Sequence, residues 1–207
     1  MFEKLKDNFR KPQGKIGAFM VNMMNRGHEP MTKKSIERLP IEKNHAVLDI
    51  GCGGGNAMAL MLEKVTQGKV YGVDYSEVSV AQTKQKNKAA INEGRACVQQ
   101  ASVSKLPFED EQFDVVTAFE TIYFWPNLAQ DFREVHRVIK SGGWFAVICE
   151  LADPTSKEGK RFGKSLGMAI QTPETLKKLF AEAGYVDMMV LNEPGEEWVC
   201  LAGRKEE

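Results

Sequence analysis

From residue 45 onward the sequence predicts a doubly wound α/β domain built on a mostly parallel sheet. Three observations carry this reading. Short β-branched runs alternate with longer segments of helical periodicity. A glycine loop, Gly51-Cys52-Gly53-Gly54-Gly55, follows the first of these runs and opens a helix. An acid, Asp74, closes the second run 23 residues after Gly51.

The elements follow in order. His45–Ile50 (HAVLDI) reads as a buried strand, and Ala57–Val65 as the helix beyond the glycine loop. Lys69–Asp74 is a second strand, and Ser76–Asn92 a polar helix with Ser76 placed to cap it. Ala96–Ala101 is a weaker third strand and Phe113–Phe119 a strong fourth. After Pro126-Asn127, the apolar residues Leu128, Phe132, Val135 and Ile139 recur at steps of four, three and four, which is one helical face. Ser141-Gly142-Gly143 is expected to stop that helix, and Trp144–Cys149 to form a fifth strand. Thr172-Pro173-Glu174 combines a cap with proline at the first helical position. The last two strands, Tyr185–Leu191 and Glu197–Ala202, flank Asn192-Glu193-Pro194-Gly195 as an antiparallel hairpin.

Two segments fall outside the alternation: residues 1–40, basic and rich in methionine, and residues 151–171, polar and without a strand. Their place in the order puts both where the chain crosses the top of the sheet. The predicted organisation is therefore an N-terminal helical cap over 1–40 and one domain over 41–207.

Composition narrows the function classes. The 207 residues include 43% hydrophobic and 27% charged, an ordinary globular mix. The longest purely apolar run, Ala57–Leu62, is far shorter than the ~20 residues a membrane-spanning helix needs. The opening MFEKLKDNFRK carries charges where an export signal is apolar, so no stable membrane insertion and a cytoplasmic location are expected. Cys52, Cys97, Cys149 and Cys200 are scattered, which points to reduced thiols and to neither a disulfide framework nor a zinc site. No metal is expected. Net charge is zero, with no overall basic footprint for nucleic acid, although residues 1–43 hold ten Lys/Arg against five Asp/Glu. That local excess would suit an anionic ligand or surface, or serve as solvated helix surface.

The glycine loop has two candidate ligands. Glycines let backbone approach a ligand closely, and a helix N-terminus attracts anionic groups. A dinucleotide fingerprint requires glycine or alanine five residues after the first glycine, where this chain has Asn56. S-adenosylmethionine is the alternative, its carboxylate taking the place of a phosphate. Asp74 suits the ribose hydroxyls of either, and would otherwise cap the following helix.

VLDIGCGGG, the acid in YGVDYS, the LPFEDEQFDVV stretch and EVHRVIKSGG occur in that order. Together they resemble the class I S-adenosylmethionine-dependent methyltransferases, in particular the small-molecule group that includes enzymes of quinone biosynthesis. The resemblance covers about residues 45–150. It implies strand order 3-2-1-4-5-7-6 with the seventh strand antiparallel, S-adenosyl-L-methionine as cofactor, and a small-molecule methyl acceptor. It places Asp49, Gly51, Cys52 and Gly53 around the methionine end of the cofactor, Asp74 on the ribose and Tyr75 against adenine. Where relatives carry Gly-Asp-Ala before LPF, this chain has Ala101-Ser102-Val103, so Ser102 and Val103 would meet adenine without a carboxylate. Glu120 would receive the cofactor's ammonium through its backbone carbonyl.

Strand four ends in Phe119-Glu120-Thr121-Ile122-Tyr123-Phe124-Trp125, an aromatic wall suited to a sulfonium or to plain core packing. It lacks the Asn/Asp-Pro-Pro-Tyr/Phe motif of enzymes that methylate nucleobase amino groups, and Pro-Cys is absent too, so no nucleic acid partner is expected. Two residues suit a general base: His28, beside the methionines of the cap, and Tyr123; Glu150 is a third. His45 and His136 read as surface residues. The competing readings are a nicotinamide-dependent oxidoreductase, against which Asn56 and the lack of a Tyr-x-x-x-Lys pair both stand, and a non-catalytic cofactor-binding module.

Overall fold

The structure, a computed structural model, describes residues 11–207; the first ten residues of the expected cap lie outside the described residues. The elements are α1 (Gly14–Arg38), β1 (Ala46–Ile50), α2 (Asn56–Lys64), β2 (Lys69–Asp74), α3 (Glu77–Lys86) and α4 (Lys88–Asn92). These are followed by β3 (Ala96–Gln100), β4 (Phe113–Phe119), α5 (Leu128–Val138), β5 (Ile139–Cys149) and α6 (Lys157–Leu166). The chain ends in α7 (Pro173–Glu182), β6 (Tyr185–Val190) and β7 (Val199–Lys205). All seven strands form one sheet in the order β3-β2-β1-β4-β5-β7-β6. Strands β1 to β5 pair in parallel, and β7 runs antiparallel to both neighbours. The expected architecture is the one observed.

Both faces of the sheet are covered, which is why its strands read as continuous apolar runs. On one face α1 to α4 bury Met31, Ile36, Met58, Met61, Val80 and Ala90 against β1, β2 and β4. On the other, α5 and α7 bring Phe132, Val135, Leu176 and Phe180 onto Phe145 and Leu201. Phe132, Phe145 and Phe180 meet at ring-centroid distances of 5.1–5.2 Å and are fully buried. The four cysteines are free thiols, as expected, with Cys97 half-buried and the others buried.

Three local readings need correction, and one segment outside the alternation holds a helix. The predicted Ser76–Asn92 helix is two helices, because Asn87 leaves the α-helical path and donates its side-chain amide to the carbonyls of Gly55 and Thr83. Ser141-Gly142-Gly143 does not stop α5. The helix ends at Val138, Ile139 is already extended, and the glycines fall inside β5, where the register shifts between Phe113 and Val115. Residues 151–171 contain α6, capped by Ser156 and closed by Gly167 in the left-handed region at φ 68°. His136 is half-buried, edge-on to Tyr185 at 5.0 Å, and is not a surface residue.

The N-terminal segment forms a 25-residue helix from Gly14 to Arg38 with Pro30 inside it. Its far end is continuous with the core through Met31, Ile36 and Leu39. Lys64 Nζ, at the end of α2, fastens it by donating to the carbonyl of Ile36 at 2.8 Å. No helix among the described residues is long and apolar enough to cross a membrane.

Phe145→Ala removes the ring that α5 and α7 share, so unfolding free energy measured in urea is expected to fall by about 3–5 kcal/mol. A loss below about 1 kcal/mol would show that the two helices pack without it.

Candidate functional site

The carboxyl ends of the parallel strands open into a cavity of about 1370 Å³. That exceeds the ~300–1,000 Å³ usual for a single ligand, and leaves space for two molecules side by side. The glycine loop forms its floor. Gly51 and Cys52 both donate their backbone N–H groups to the Val73 carbonyl, at 2.8 and 3.0 Å. Gly53 N–H donates to Asp74 Oδ2 at 3.0 Å, and Gly55 N–H to the Cys52 carbonyl at 2.8 Å. These four donors are therefore used within the protein, and the loop is held in shape by β2. From the other side, Thr83 Oγ1 donates to the Gly53 carbonyl at 2.8 Å.

Two glycines in this loop are required on separate grounds. Gly51 has φ +75°, and a Cβ there would stand 2.3 Å from Thr121 Oγ1. Gly53 has φ +53°, but a Cβ on it would meet nothing closer than the Gly51 carbonyl oxygen at 3.8 Å, and Gly53 lines the cavity. The first glycine is needed by the fold; at the second, a side chain would take up room that belongs to a ligand.

Three buried carboxyl groups surround this floor. Asp49 is 1% exposed and accepts from Thr117 Oγ1 at 2.9 Å; burial raises its pKa to about 7. Asp74 accepts from the backbone N–H groups of Gly53 and Ser76, yet burial still outweighs these bonds and raises its pKa. Glu120 sits just past β4 at φ 55°, a backbone conformation that favours glycine and that tends to persist where function holds it. Burial raises its carboxyl to about 8.

Glu120 is the centre of a small polar network. Its Oε1 accepts from the Tyr123 hydroxyl at 3.2 Å and from the backbone N–H of Glu150. The Tyr123 hydroxyl in turn accepts from Leu151 N–H at 3.0 Å. The other oxygen, Oε2, faces His28 Nδ1 at 4.0 Å, and His28 Nε2 faces Glu150 Oε2 at 3.4 Å. Exposure rises along this chain, from 15% at Glu120 to 28% at His28 and 59% at Glu150. The ligand atoms of the three residues lie within 4.8 Å of one another. The imidazole offers a different nitrogen to each carboxyl group, an arrangement suited to passing a proton along and not to sharing one cation.

All nine residues expected around the cofactor line this one cavity: Asp49, Gly51, Cys52, Gly53, Asp74, Tyr75, Ser102, Val103 and Glu120. His28 and Glu150 line it as well. Tyr123 does not: its side chain is buried behind Glu120, and burial holds the phenol strongly protonated. Ser102 is exposed at the rim, and its hydroxyl accepts from Ser104 N–H at 3.3 Å. Of the expected aromatic wall, Phe124 faces the cavity, whereas Trp125 also stacks on Phe145 at 6.2 Å as part of the core. The far wall is formed by Phe162, Leu166 and Met168, from the segment that no strand or repeat marks, and by Trp198, which the sequence placed in the last strand without a site role. The capping serine at 156 and the glycine at 167 were the available signal.

The charge on the lining decides between ligands. Seven acidic residues line the cavity (Asp49, Asp74, Glu120, Glu150, Asp153, Glu158 and Glu197), and among the described lining residues there is no Lys or Arg. Such a wall favours a cationic ligand and opposes a doubly charged pyrophosphate. The residues present fit S-adenosylmethionine, which carries a sulfonium and an ammonium, better than a nicotinamide dinucleotide.

Residues 48–147 match a family described as a methyltransferase domain. The chain is 33% identical over 119 residues to methyltransferase GfsG of Streptomyces halstedii, covering 58% of this chain and 42% of that protein. It is 29% identical over 206 residues to the demethylmenaquinone methyltransferase of Staphylococcus epidermidis, covering 86% and 83%. The chain thus spans less than two thirds of GfsG, and 59% of the (+)-O-methylkolavelool synthase of Herpetosiphon aurantiacus. In fold it is similar to a Haloferax volcanii structure of the Trm112 methyltransferase activator with a putative methyltransferase, at TM-score 0.79 and 17% identity, covering 91% of this chain and 94% of that one.

The raised acids have a consequence for stability. Asp49 and Glu120 keep protons to about pH 7 and 8 when folded, while the unfolded chain releases them near their ordinary values of 3.8 and 4.5. Between those limits the folded state binds more protons, so stability falls as pH rises and levels off above about pH 8. Urea midpoints at pH 5.5, 7 and 8.5 are expected to decrease in that order, and Glu120→Gln to shrink the decrease. Midpoints that rise with pH would show that these acids ionise freely in the fold.

Proposed function

We propose that this chain is a class I S-adenosylmethionine-dependent methyltransferase, and that it methylates a small, largely apolar acceptor lacking phosphate or carboxylate groups. The observation that carries the acceptor class is the lining: seven acidic residues, no Lys or Arg among those described, and an apolar far wall. An anionic acceptor would meet acidic side chains and no cation among the described lining residues.

In this reading the cofactor is held by Asp49 and the Gly51–Gly53 turn at its methionine end, by Asp74 at the ribose, and by Tyr75, Ser102 and Val103 at adenine. When bound, it supplies an electrophilic methyl group on a sulfonium. The protein's part is then to position the acceptor, exclude water and, for an oxygen or carbon nucleophile, remove a proton. Two hydrogen bonds converge on Glu120 Oε1, which leaves its proton on Oε2, the oxygen that faces His28. Burial lowers the His28 pKa, which favours the neutral imidazole, the form that relays the Glu120 proton outward past Glu150 to solvent. The Glu120 carboxylate so formed accepts the proton that the acceptor loses. The base is therefore the Glu120–His28 pair. Tyr123 is a positioning residue that acts through Glu120, a change from the role first read for it.

Calorimetry is expected to show S-adenosylhomocysteine binding and NAD binding at least about tenfold more weakly; NAD binding more tightly would overturn the cofactor assignment. Positive charge beside Asp49 should lower its pKa from about 7, so binding at pH 6.5 is expected to release protons. Titrations in two buffers of different ionisation enthalpy read this directly.

Glu120→Gln and His28→Asn are each expected to lower turnover by about 10²–10⁴-fold with cofactor affinity retained. Tyr123→Phe removes a bond that favours the Glu120 carboxylate, so its rate profile should shift to higher pH with a similar plateau. Full rate in Glu120→Gln would mean that the nucleophile, such as a thiol or neutral amine, needs no base.

A further inference from the structure

Three large apolar side chains of α1 face solvent together. Ile16, Phe19 and Met23 are 64%, 68% and 53% exposed. Their spacing of three and four residues puts them on one stripe of the helix. Val21, on the opposite side of the same helix, is 1% exposed, and Met20, on the flank of the stripe, 4%. The segment is not loose at its start, because Ser76 Oγ donates to the Pro12 carbonyl at 2.7 Å and Gln82 Nε2 to the Ala18 carbonyl at 2.9 Å. The stripe is therefore displayed by a fastened helix.

α1 carries Lys15, Arg26, Lys33, Lys34 and Arg38 against Glu29 and Glu37. The second segment beside the cavity, α6, contains four Lys/Arg and one Glu, with Lys157, Lys160, Arg161 and Lys164 all exposed. Both segments reach the cavity: α1 through Val21 and His28, α6 through Phe162 and Leu166. In a chain of zero net charge, the two helices at the cavity thus hold nine Lys/Arg against three Glu, whereas the cavity lining itself is acidic.

We propose that α1 and α6 dock this protein on an anionic lipid bilayer, with Ile16, Phe19 and Met23 entering the interface. An exposed apolar stripe on a helix rich in Lys and Arg, with no helix among the described residues able to span, is the pattern of a helix that lies on a membrane surface. A second copy of the chain is the other candidate occupant. Pairing two copies through this face would set the same cations against each other, whereas an anionic surface neutralises them. The link to catalysis rests on the proposed apolar acceptor, which would enter from the lipid; the docking itself does not require it.

The test is sedimentation of the full-length protein with vesicles, without methyl donor or acceptor, so that its outcome is independent of the catalytic reading. With phosphatidylcholine containing 30% phosphatidylglycerol, binding at 0.1 M salt is expected to be at least about tenfold tighter than with phosphatidylcholine alone. It should drop steeply at 0.5 M salt, where surface charges are screened. Two double variants, Ile16→Ser with Phe19→Ser and Lys160→Glu with Lys164→Glu, should each weaken binding about tenfold while melting like the parent protein. The proposal is overturned if the protein stays in the supernatant of anionic vesicles. It is equally overturned if light scattering shows a dimer that the serine variant makes monomeric, or if single-stranded DNA displaces the vesicles at low micromolar concentration.

Discussion

The turn between β1 and α2 is the constraint on which the site depends. Within a few residues the chain must leave a buried strand, reverse and start a helix without stranding backbone groups. The end of β2 solves this. One carbonyl, that of Val73, takes the N–H groups of both Gly51 and Cys52, and the Asp74 carboxyl takes that of Gly53. Asp74 also accepts from Ser76 N–H, so the same side chain fixes the start of α3. The cap role and the ligand role weighed for Asp74 are therefore compatible. Its two oxygens are each occupied once by backbone, and a carboxylate has further lone pairs to offer a ribose. Because α3 returns Thr83 and Asn87 to the carbonyls of Gly53 and Gly55, the loop is braced from both sides.

This bracing explains which parts of the fold were legible in the sequence. Strands buried on both faces announce themselves as short apolar runs, so HAVLDI, KVYGVD and FDVVTAF were read within a residue or two. The caps at Ser76 and Thr172 have a local mechanism and were equally visible. What failed were features set by distant partners. Asn87 interrupts a helix only because Gly55 lies across from it, 32 residues away in sequence. Gly142-Gly143 looks like a helix stop but lies in a strand, because β5 pairs beside β4 from Ile139 onward. Of the site, the residues on the glycine loop and at strand ends were legible because a motif fixes their place. The role of Tyr123 was not, since sequence cannot show that its hydroxyl is spent on Glu120 and Leu151.

Charge in this molecule is sorted by position, which the zero net charge hides. Acids crowd the cavity lining and cations crowd α1 and α6 beside it. The basic excess of residues 1–43 could be taken from composition as a preference for an anionic ligand. Among the described residues Lys11, Lys33, Lys34 and Lys43 of that segment are exposed, while the ligand space is acidic. Burying acids this way is unfavourable for the empty fold, and their raised pKa values express that cost. A cationic ligand offsets it. The site's affinity for such a ligand and the protein's loss of stability at high pH therefore share one physical origin.

The two halves of the site differ in how the fold supports them. The glycine loop, Asp49 and Asp74 stand on adjacent central strands, whose positions are fixed by parallel pairing along their whole length. Glu120 and Glu150 stand at the ends of β4 and β5, also neighbours, and the Glu150 N–H that binds Glu120 is a direct result of that pairing. His28 has no such support. It reaches the pair from α1, an element outside the sheet, across contacts of 3.4 and 4.0 Å that are longer than hydrogen bonds. The carboxyl end of the proton path is thus built into the sheet, and its imidazole is delivered by the helix that carries the exposed stripe. Any force that shifts α1 acts on the distance between His28 and Glu120. The same helix also accepts from Gln82 of α3, so a surface that binds Ile16, Phe19 and Met23 would act on both the proposed base and the side of the loop that α3 braces.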